Sequence, residues 1–382
     1  MKISKVTCWI LRTSYKYPLI ERTFQGAANF VEIETDSGLQ GHALIAYPRM
    51  NHAIREFINR EIAPTIIGMD PMRTEEIRNT LFEKTSIKYF TGMWSCSVSL
   101  IDIALWDIKG KETGQPVWKL LGGAHNRVPT YITFGIPLYS QEELVEAAKR
   151  LVADGHDKLK MVIGIKSTGS EWGDRSEWGY GQVTDEDISR DAQRVIAVRN
   201  AVGDKVALMI DANKMASYIQ AVKLAKLVEP CNLTWFEDPI LNSDPRTLAQ
   251  LRREISIPVA SGSTGTSDLM YFREYLLHEA VDIIQPNVRD IGGYSLGLKA
   301  AALAQAFNVP MAMGGAWPHV NMHLQAGVIN GGWVEFHWSA WHIVESLFDG
   351  TPSPVNGWVT LPEAPGLGFT PKTGIVKEYS VD

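Results

Sequence analysis

The chain has 382 residues, a hydrophobic share of 45%, and 37 basic against 43 acidic side chains, for a net charge of −6. That length holds about two domains, or one large barrel with an accessory domain, and a mild charge without long runs of one sign excludes a nucleic-acid footprint. No apolar stretch reaches membrane-spanning length, and Cys8, Cys96 and Cys231 are too few and too scattered for a disulfide framework.

Met1–Ile10 alternates like a strand and carries no signal-peptide cleavage pattern, so a cytoplasmic protein is expected, with no nucleic-acid or membrane partner. Lys2–Leu11 and Ala28–Thr35 predict strands, Asp36-Ser37-Gly38 a turn into a third, and Met50–Glu61, Arg73–Ser86 and Ser95–Thr113 predict helices. Strands first and helices after mark residues 1–125 as an α+β domain. Between the first two strands, Ser14–Gly26 is rich in Tyr15, Tyr17, Arg22 and Phe24. It is either a locally packed surface loop or a cover over a substrate, with Tyr15 and Arg22 as candidate contacts.

Residues 126–354 carry βα repeats. Val128–Phe134 predicts a strand, Gln141–Ala153 its helix, and Asp157–Val162 a second strand bearing Lys158 and Lys160. Alternation puts both lysines on one side, facing inward if Leu159 faces the helices. An inward lysine is costly unless it meets an anion or a functional cavity; solvated strand-end lysines are the plainer alternative. From Lys160 to Asp211 is 51 residues, about twice the later repeat, and the insertion Gly164–Asp187 contains Ser-Glu-Trp-Gly twice. Its Trp172, Arg175 and Trp178 either close over a ligand or form an oligomer contact.

Val206–Ile210 and Leu233–Phe236 are short apolar runs ending on Asp211-Ala-Asn213 and Glu237-Asp238-Pro239. Such runs suit strands of a parallel sheet buried on both faces. Between them, Ile219, Val222, Leu224 and Ala225 fall at helical spacing within Ser217–Leu227, completing a βαβ unit. Asp211, Glu237 and Ser263 stand 26 residues apart, with Asn287 another 24 on. In a barrel of such units the site lies at the C-terminal strand ends. Polar residues recurring there in phase suggest a ring of ligands around one cavity; ordinary strand-terminating residues are the rival explanation. Later strands end near Met311–Met313 and Trp333–Phe336, placing Glu335 and His337 at a strand end. Residues 355–382 are Pro/Gly-rich and are expected to return to the first domain.

Several stretches now align with one family. Asn29–Gly41, Ile62-Ala-Pro-Thr-Ile-Ile-Gly68, Asp102 to Asp107 and Lys111, and Leu120-Leu-Gly-Gly123 lie in the first domain. Lys158-x-Lys160, Asp211-x-Asn213, Trp235-Phe-Glu237-Asp-Pro239 and Ile291-Gly-Gly293 lie in the second. In this order and spacing the chain resembles the mandelate racemase-like branch of the enolase superfamily. The resemblance implies an α/β fold: a modified TIM (β/α) barrel under an N-terminal α+β capping domain. It also implies Mg²⁺ at Asp211, Glu237 and the position of Ser263, and a side-chain base that takes the α-proton of a small carboxylate. An enediolate is a dianion, and a hard divalent ion held by carboxylates offsets its charge. Lys160 would be the base, with Lys158 beside it lowering its pKa and helping to bind the carboxylate. Asn213, Arg289 and Glu335 would meet the substrate along with Tyr15, Arg22 and Trp172.

The departures matter as much. Ser263 stands where the family has an acid, so Mg²⁺ would bind weakly without substrate. Asn287 replaces an Asp, and Met311-Ala-Met-Gly314-Gly315 lacks the family's histidine; His319 either reaches in as an opposite-face acid/base or is structural. With that pair lost, β-elimination from a small hydroxycarboxylate, a sugar acid, is expected of a homo-oligomeric lyase (dehydratase). A racemase, epimerase or cycloisomerase is the alternative, or a non-catalytic homologue with a degraded metal site.

Overall fold

The computed structural model describes residues 1–382 apart from 48, 87, 89, 137, 164–182, 264, 266 and 382. Alternating apolar residues build an antiparallel sheet from β1 (Ile3–Tyr15), β2 (Phe24–Thr35) and β3 (Gln40–Ile45). The β1–β2 pair runs from Ile3 opposite Thr35 to Tyr15 opposite Phe24, so both strands continue past their predicted ends. Tyr15 and Phe24 are therefore cross-strand partners, not loop residues; their rings stack at 5.9 Å, with Tyr17 edge-on to both. Val381 pairs with Ile10, so the chain's last residues cover the free edge of β1.

The helix Met93–Thr113 is buried over most of its length and stops at Gly114, whose φ of +65° gives the left-handed cap. Its Asp102 accepts from the backbone NH and hydroxyl of Ser295 at 3.0 and 2.6 Å, which ties it to the helix Gly293–Ala306. Gly293 has φ +81°, and a Cβ there would lie 2.2 Å from an Asp102 oxygen. This close approach explains the Gly-Gly pair of the sequence.

The second sheet is parallel. It runs β4 (Arg127–Gly135), β5 (Lys158–Val162), β6 (Ala207–Asp211), β7 (Phe236–Glu237), β8 (Val259–Ser261) and β9 (Ile283–Ile284), with β10 (Val334–His337) back beside β4. Single parallel bridges, Ile284 to Met311 and Ala312 to Trp333, complete the ring. Helices between the strands cover its outside. Three of them, Gln141–Ala153, Asp185–Val202 and Tyr218–Leu227, open on capping boxes whose side chains satisfy otherwise orphaned amides. In the last of these, Ala221, Val222, Leu224 and Ala225 face the sheet, whereas Ile219 is 77% exposed against the expectation from its spacing. Inside the ring Tyr131, Met209, Trp235, Ala260 and Ala312 form an apolar floor, with Trp235 edge-on to Tyr131 at 5.3 Å. No helix among the described residues is long and apolar enough to cross a membrane.

Candidate active site

Directly above that floor, three strands send carboxylates to one ammonium group. Leu159 and Met161 point out to the helices, so Lys158, Lys160 and Val162 point inward. The wholly buried Lys160 Nζ lies 2.6 Å from Glu237 Oε1, 3.0 Å from Glu335 Oε1 and 3.2 Å from Asp211 Oδ2. Burial works against its charge, but Glu237, Glu335 and Asp211 outweigh it and hold the ammonium well above the ordinary lysine range.

The carboxylates are themselves anchored. Glu237 Oε2 accepts from Gln285 Nε2 at 2.9 Å and from Trp235 Nε1 at 3.2 Å. Asp211 Oδ1 accepts from the Asn213 NH at 2.8 Å. Glu335 Oε2 accepts from the Ala316 NH at 2.7 Å, and the Thr133 hydroxyl donates to its other oxygen. Their environments differ. Burial, with Asp211 and Glu335 nearby, pushes the Glu237 carboxyl up to about 8 against the pull of Lys160. Glu335, although buried, is drawn down to about 2 by Lys160, His337 and its hydrogen-bond donors.

At the rim the backbone is strained. Asn213, Lys214, Asp238, Ala316 and Trp317 all have φ between 41° and 67°, a region non-glycine residues enter at a cost that clusters at functional sites. The buried Asn213 Nδ2 has no acceptor among the described residues. Asp238 receives the Ser261 hydroxyl at 2.5 Å and lies 3.5 Å from Ser263 Oγ and 4.0 Å from Lys214 Nζ. His337, two residues above Glu335 on the same inward face of β10, has its Nδ1 3.1 Å from the Ser339 hydroxyl. Burial pushes its imidazole down to about 4, so it is neutral at pH 7. Thr133 and Gln285 belong to the site but are not among the sequence candidates, and His337 is expected from sequence only as a strand-end residue. Period two along their strands is the signal that would have found them.

Other candidates lie elsewhere. Lys158 is at the opposite, N-terminal end of β5, bonded to Asp157 at 2.6 Å and set over the Trp333 ring. Two positions along a strand span about 6–7 Å, so sharing a side with Lys160 does not bring it to the same layer, and it cannot lower Lys160's pKa from there. Lys160 itself is held among three carboxylates. His319 points away from the carboxylates: its Nε2 lies 3.2 Å from the Pro352 carbonyl, and its ring sits between Phe336 and Phe369. Burial pushes it down to about 3. Arg289 is committed to Asp290 by two hydrogen bonds, 3.0 and 2.9 Å, at the junction with Tyr47 of the first domain. Tyr15 belongs to the aromatic group on β1 and β2, and Arg22 is exposed over the Phe24 ring. Asn287 donates to the Gly314 and Gly315 carbonyls and accepts from Asn321, which fixes a loop. Trp172, Arg175 and Trp178 lie outside the described residues.

The donor set does not fit Mg²⁺ while Lys160 holds this position. Asp211 Oδ2 and Glu237 Oε1 both face the ammonium, and Mg²⁺ demands oxygens at about 2.0–2.1 Å, which would set it against Nζ. Ser263 adds no charge. A Cβ on Gly314 would lie 2.7 Å from Glu237 Oε1 and from Gln285 Nε2, so a side chain there would have to displace both. Among the described residues no group of three or more His, Cys, Asp or Glu is disposed to hold a metal ion.

Known proteins share this frame. Residues 20–122 match the mandelate racemase/muconate lactonizing enzyme N-terminal domain, and 143–375 the enolase C-terminal domain-like family. The chain is 28% identical to an arabinonate dehydratase of Saccharolobus solfataricus, over 91% of its own length and 89% of the relative's. It is 29% identical to a D-galactarolactone cycloisomerase of Agrobacterium fabrum, over 99% of both. A solved racemase from Streptomyces coelicolor A3(2), with magnesium bound, superposes at a TM-score of 0.86 and 25% identity, covering 99% of this chain and 100% of that one. With both of its parts matched in order, the chain belongs to the mandelate racemase/muconate lactonizing enzyme family of the enolase superfamily.

Proposed function

We propose that this protein dehydrates a small polyhydroxy acid, taking the proton beside the carboxylate and expelling the hydroxyl of the next carbon. One observation carries this most: Asp211 is shared between the buried Lys160 ammonium, 3.2 Å from its Oδ2, and the backbone NH of Asn213, 2.8 Å from its Oδ1, and the Asn213 side-chain amide has no acceptor among the described residues. The substrate carboxylate replaces Asp211 on Lys160, because that contact is the longest of the three at 3.2 Å. Asn213 Nδ2 donates to a second substrate oxygen. Neutral His337 accepts the α-proton, and the C–H electron pair moves into the carboxylate as an enediolate. That pair then forms a carbon–carbon double bond and expels the β-hydroxyl. The imidazolium so formed at His337 gives its proton to the leaving hydroxide, so water departs and the enol becomes a 2-keto acid. The relatives' activities, a dehydratase and a cycloisomerase, support this class. Gly314, which carries no side chain, supplies no second base at its position, and this favours chemistry with one base over racemisation.

The test is a panel of aldonic and aldaric acids in deuterium oxide, read for 2-keto acid and for exchange of the α-proton. A keto-acid product supports dehydration. Exchange or ring transfer without keto acid would point to the cycloisomerase reading, and neither would remove the enzyme reading.

A further inference from the structure

We propose that Lys160 is itself the cation of this site, occupying the place among Asp211, Glu237 and Glu335 that a divalent ion would need, so that the protein works without a metal. The proposal goes beyond the dehydratase reading, and its binding tests do not depend on that reading.

The geometry comes from strand register. Val162 is level with Asp211, and Asp211 with Glu237, so the three form one layer, in which β5 contributes an apolar side chain. Lys160 belongs to the layer below, opposite Met209, and reaches up into the gap between the carboxylates. Its Nζ touches the two inward oxygens, Asp211 Oδ2 and Glu237 Oε1, that a metal bridging these residues would bind. Ammonium and metal therefore exclude each other. Nor has the lysine an easy alternative position. Beneath it are the Tyr131 ring, 5.4 Å from Nζ, and the indole of Trp235, which is edge-on to Tyr131. An ammonium withdrawn there would be buried without an anion, at large cost. The remaining positions offer a metal little compensation: Ser263 is neutral, and Gly314 is packed against Glu237 and Gln285.

The experiment uses the full chain, stripped with chelator, and titrates Mn²⁺ by electron paramagnetic resonance and Mg²⁺ by thermal shift. Wild type should show no saturable Mn²⁺ binding and no change in Tm with millimolar Mg²⁺, and any turnover should survive chelator. Ser263→Glu alone should still bind no metal, since the lysine remains. Lys160→Met should bind Mn²⁺ on the order of a hundredfold or more tighter than wild type, because a like charge has left the site, and Mg²⁺ should raise its Tm. Stoichiometric Mn²⁺ binding by wild type or by Ser263→Glu would overturn the proposal. So would a folded Lys160→Met that binds none, or turnover lost to chelator and restored by Mg²⁺. If Lys160→Met does not fold, the wild-type and Ser263→Glu titrations decide. Absence of turnover on every acid would count against the dehydratase reading and leave these binding results standing.

Discussion

Lys160 and Lys158 are two residues apart, and their predicted behaviour differs sharply. Lys160→Met strands three buried carboxylates, and removing one partner of a buried ion pair costs about 3–5 kcal/mol; urea unfolding should show a loss of that size. A loss below about 1 kcal/mol would mean that the carboxylates find other donors or take up protons cheaply. Lys158→Met, whose Nζ is bonded to Asp157 at the far end of the barrel, should leave turnover within about twofold and cost the roughly 0–1 kcal/mol of an exposed pair. His337→Asn keeps the side chain polar but removes the proton acceptor. Its kcat should fall by about 10²–10⁴-fold with KM changed far less. A raised KM with kcat nearly unchanged would instead make His337 a binding residue.

At the scale of elements, two contacts decide how the first domain meets the barrel. Gly293→Ala would force a Cβ to 2.2–2.6 Å from the Asp102 side chain, at φ +81°. The helix Gly293–Ala306 must then shift from Asp102, losing bonds from Ser295, and a destabilisation of about 2 kcal/mol or more is expected by chemical denaturation. The connection between β1 and β2 is held over the barrel: Tyr139 Oη donates to the Pro18 carbonyl at 2.8 Å, and Trp338 Nε1 to the Lys16 carbonyl at 2.7 Å. Tyr139→Phe with Trp338→Phe frees this segment while keeping an aromatic ring at each position. KM for the acid substrate should rise severalfold with Tm nearly unchanged if the segment covers the ligand; a changed Tm with constant KM would mark it as structural packing.

For the whole molecule, buried titrating groups set limits on both sides of neutrality. His319 and His337 are pushed down to about 3 and 4 from an ordinary value of 6.5. The unfolded chain therefore binds protons that the folded chain does not, and stability falls as pH drops from about 6.5 toward 4. Glu237 acts in the opposite direction. Its carboxyl rises from 4.5 to about 8, so the unfolded chain releases a proton that the folded chain keeps, and stability falls as pH climbs through that window. His319→Phe, which fits between Phe336 and Phe369, should flatten the acid limb and spare the alkaline one; Glu237→Gln should do the reverse. Unfolding free energies measured across pH 4 to 9 separate the two, and parallel shifts of both limbs would contradict this assignment.

Apolar period two and 3.6 and the equal spacing of Asp211, Glu237 and Ser263 marked an α+β domain followed by βα repeats, and the resemblance to a known family turned these into a modified barrel under a capping domain. Those features are local, and a strand or helix repeats them wherever it sits. What sequence could not decide is which inward residue reaches which layer. Alternation assigns Lys158 and Lys160 to one face, but only the register with β6 puts Lys160 beneath Asp211 and Lys158 beside Trp333. His319 follows Gly314 closely, yet the helix that begins at Pro318 turns its ring toward Phe369. Arg289 and Asp290 are neighbours in sequence, and folding pairs them with each other at the domain junction, which removes Arg289 from the site. The role of Lys160 is the strongest case. Its charge is written in the sequence, but the three carboxylates, on β6, β7 and β10, that converge on its nitrogen are brought there only by the fold.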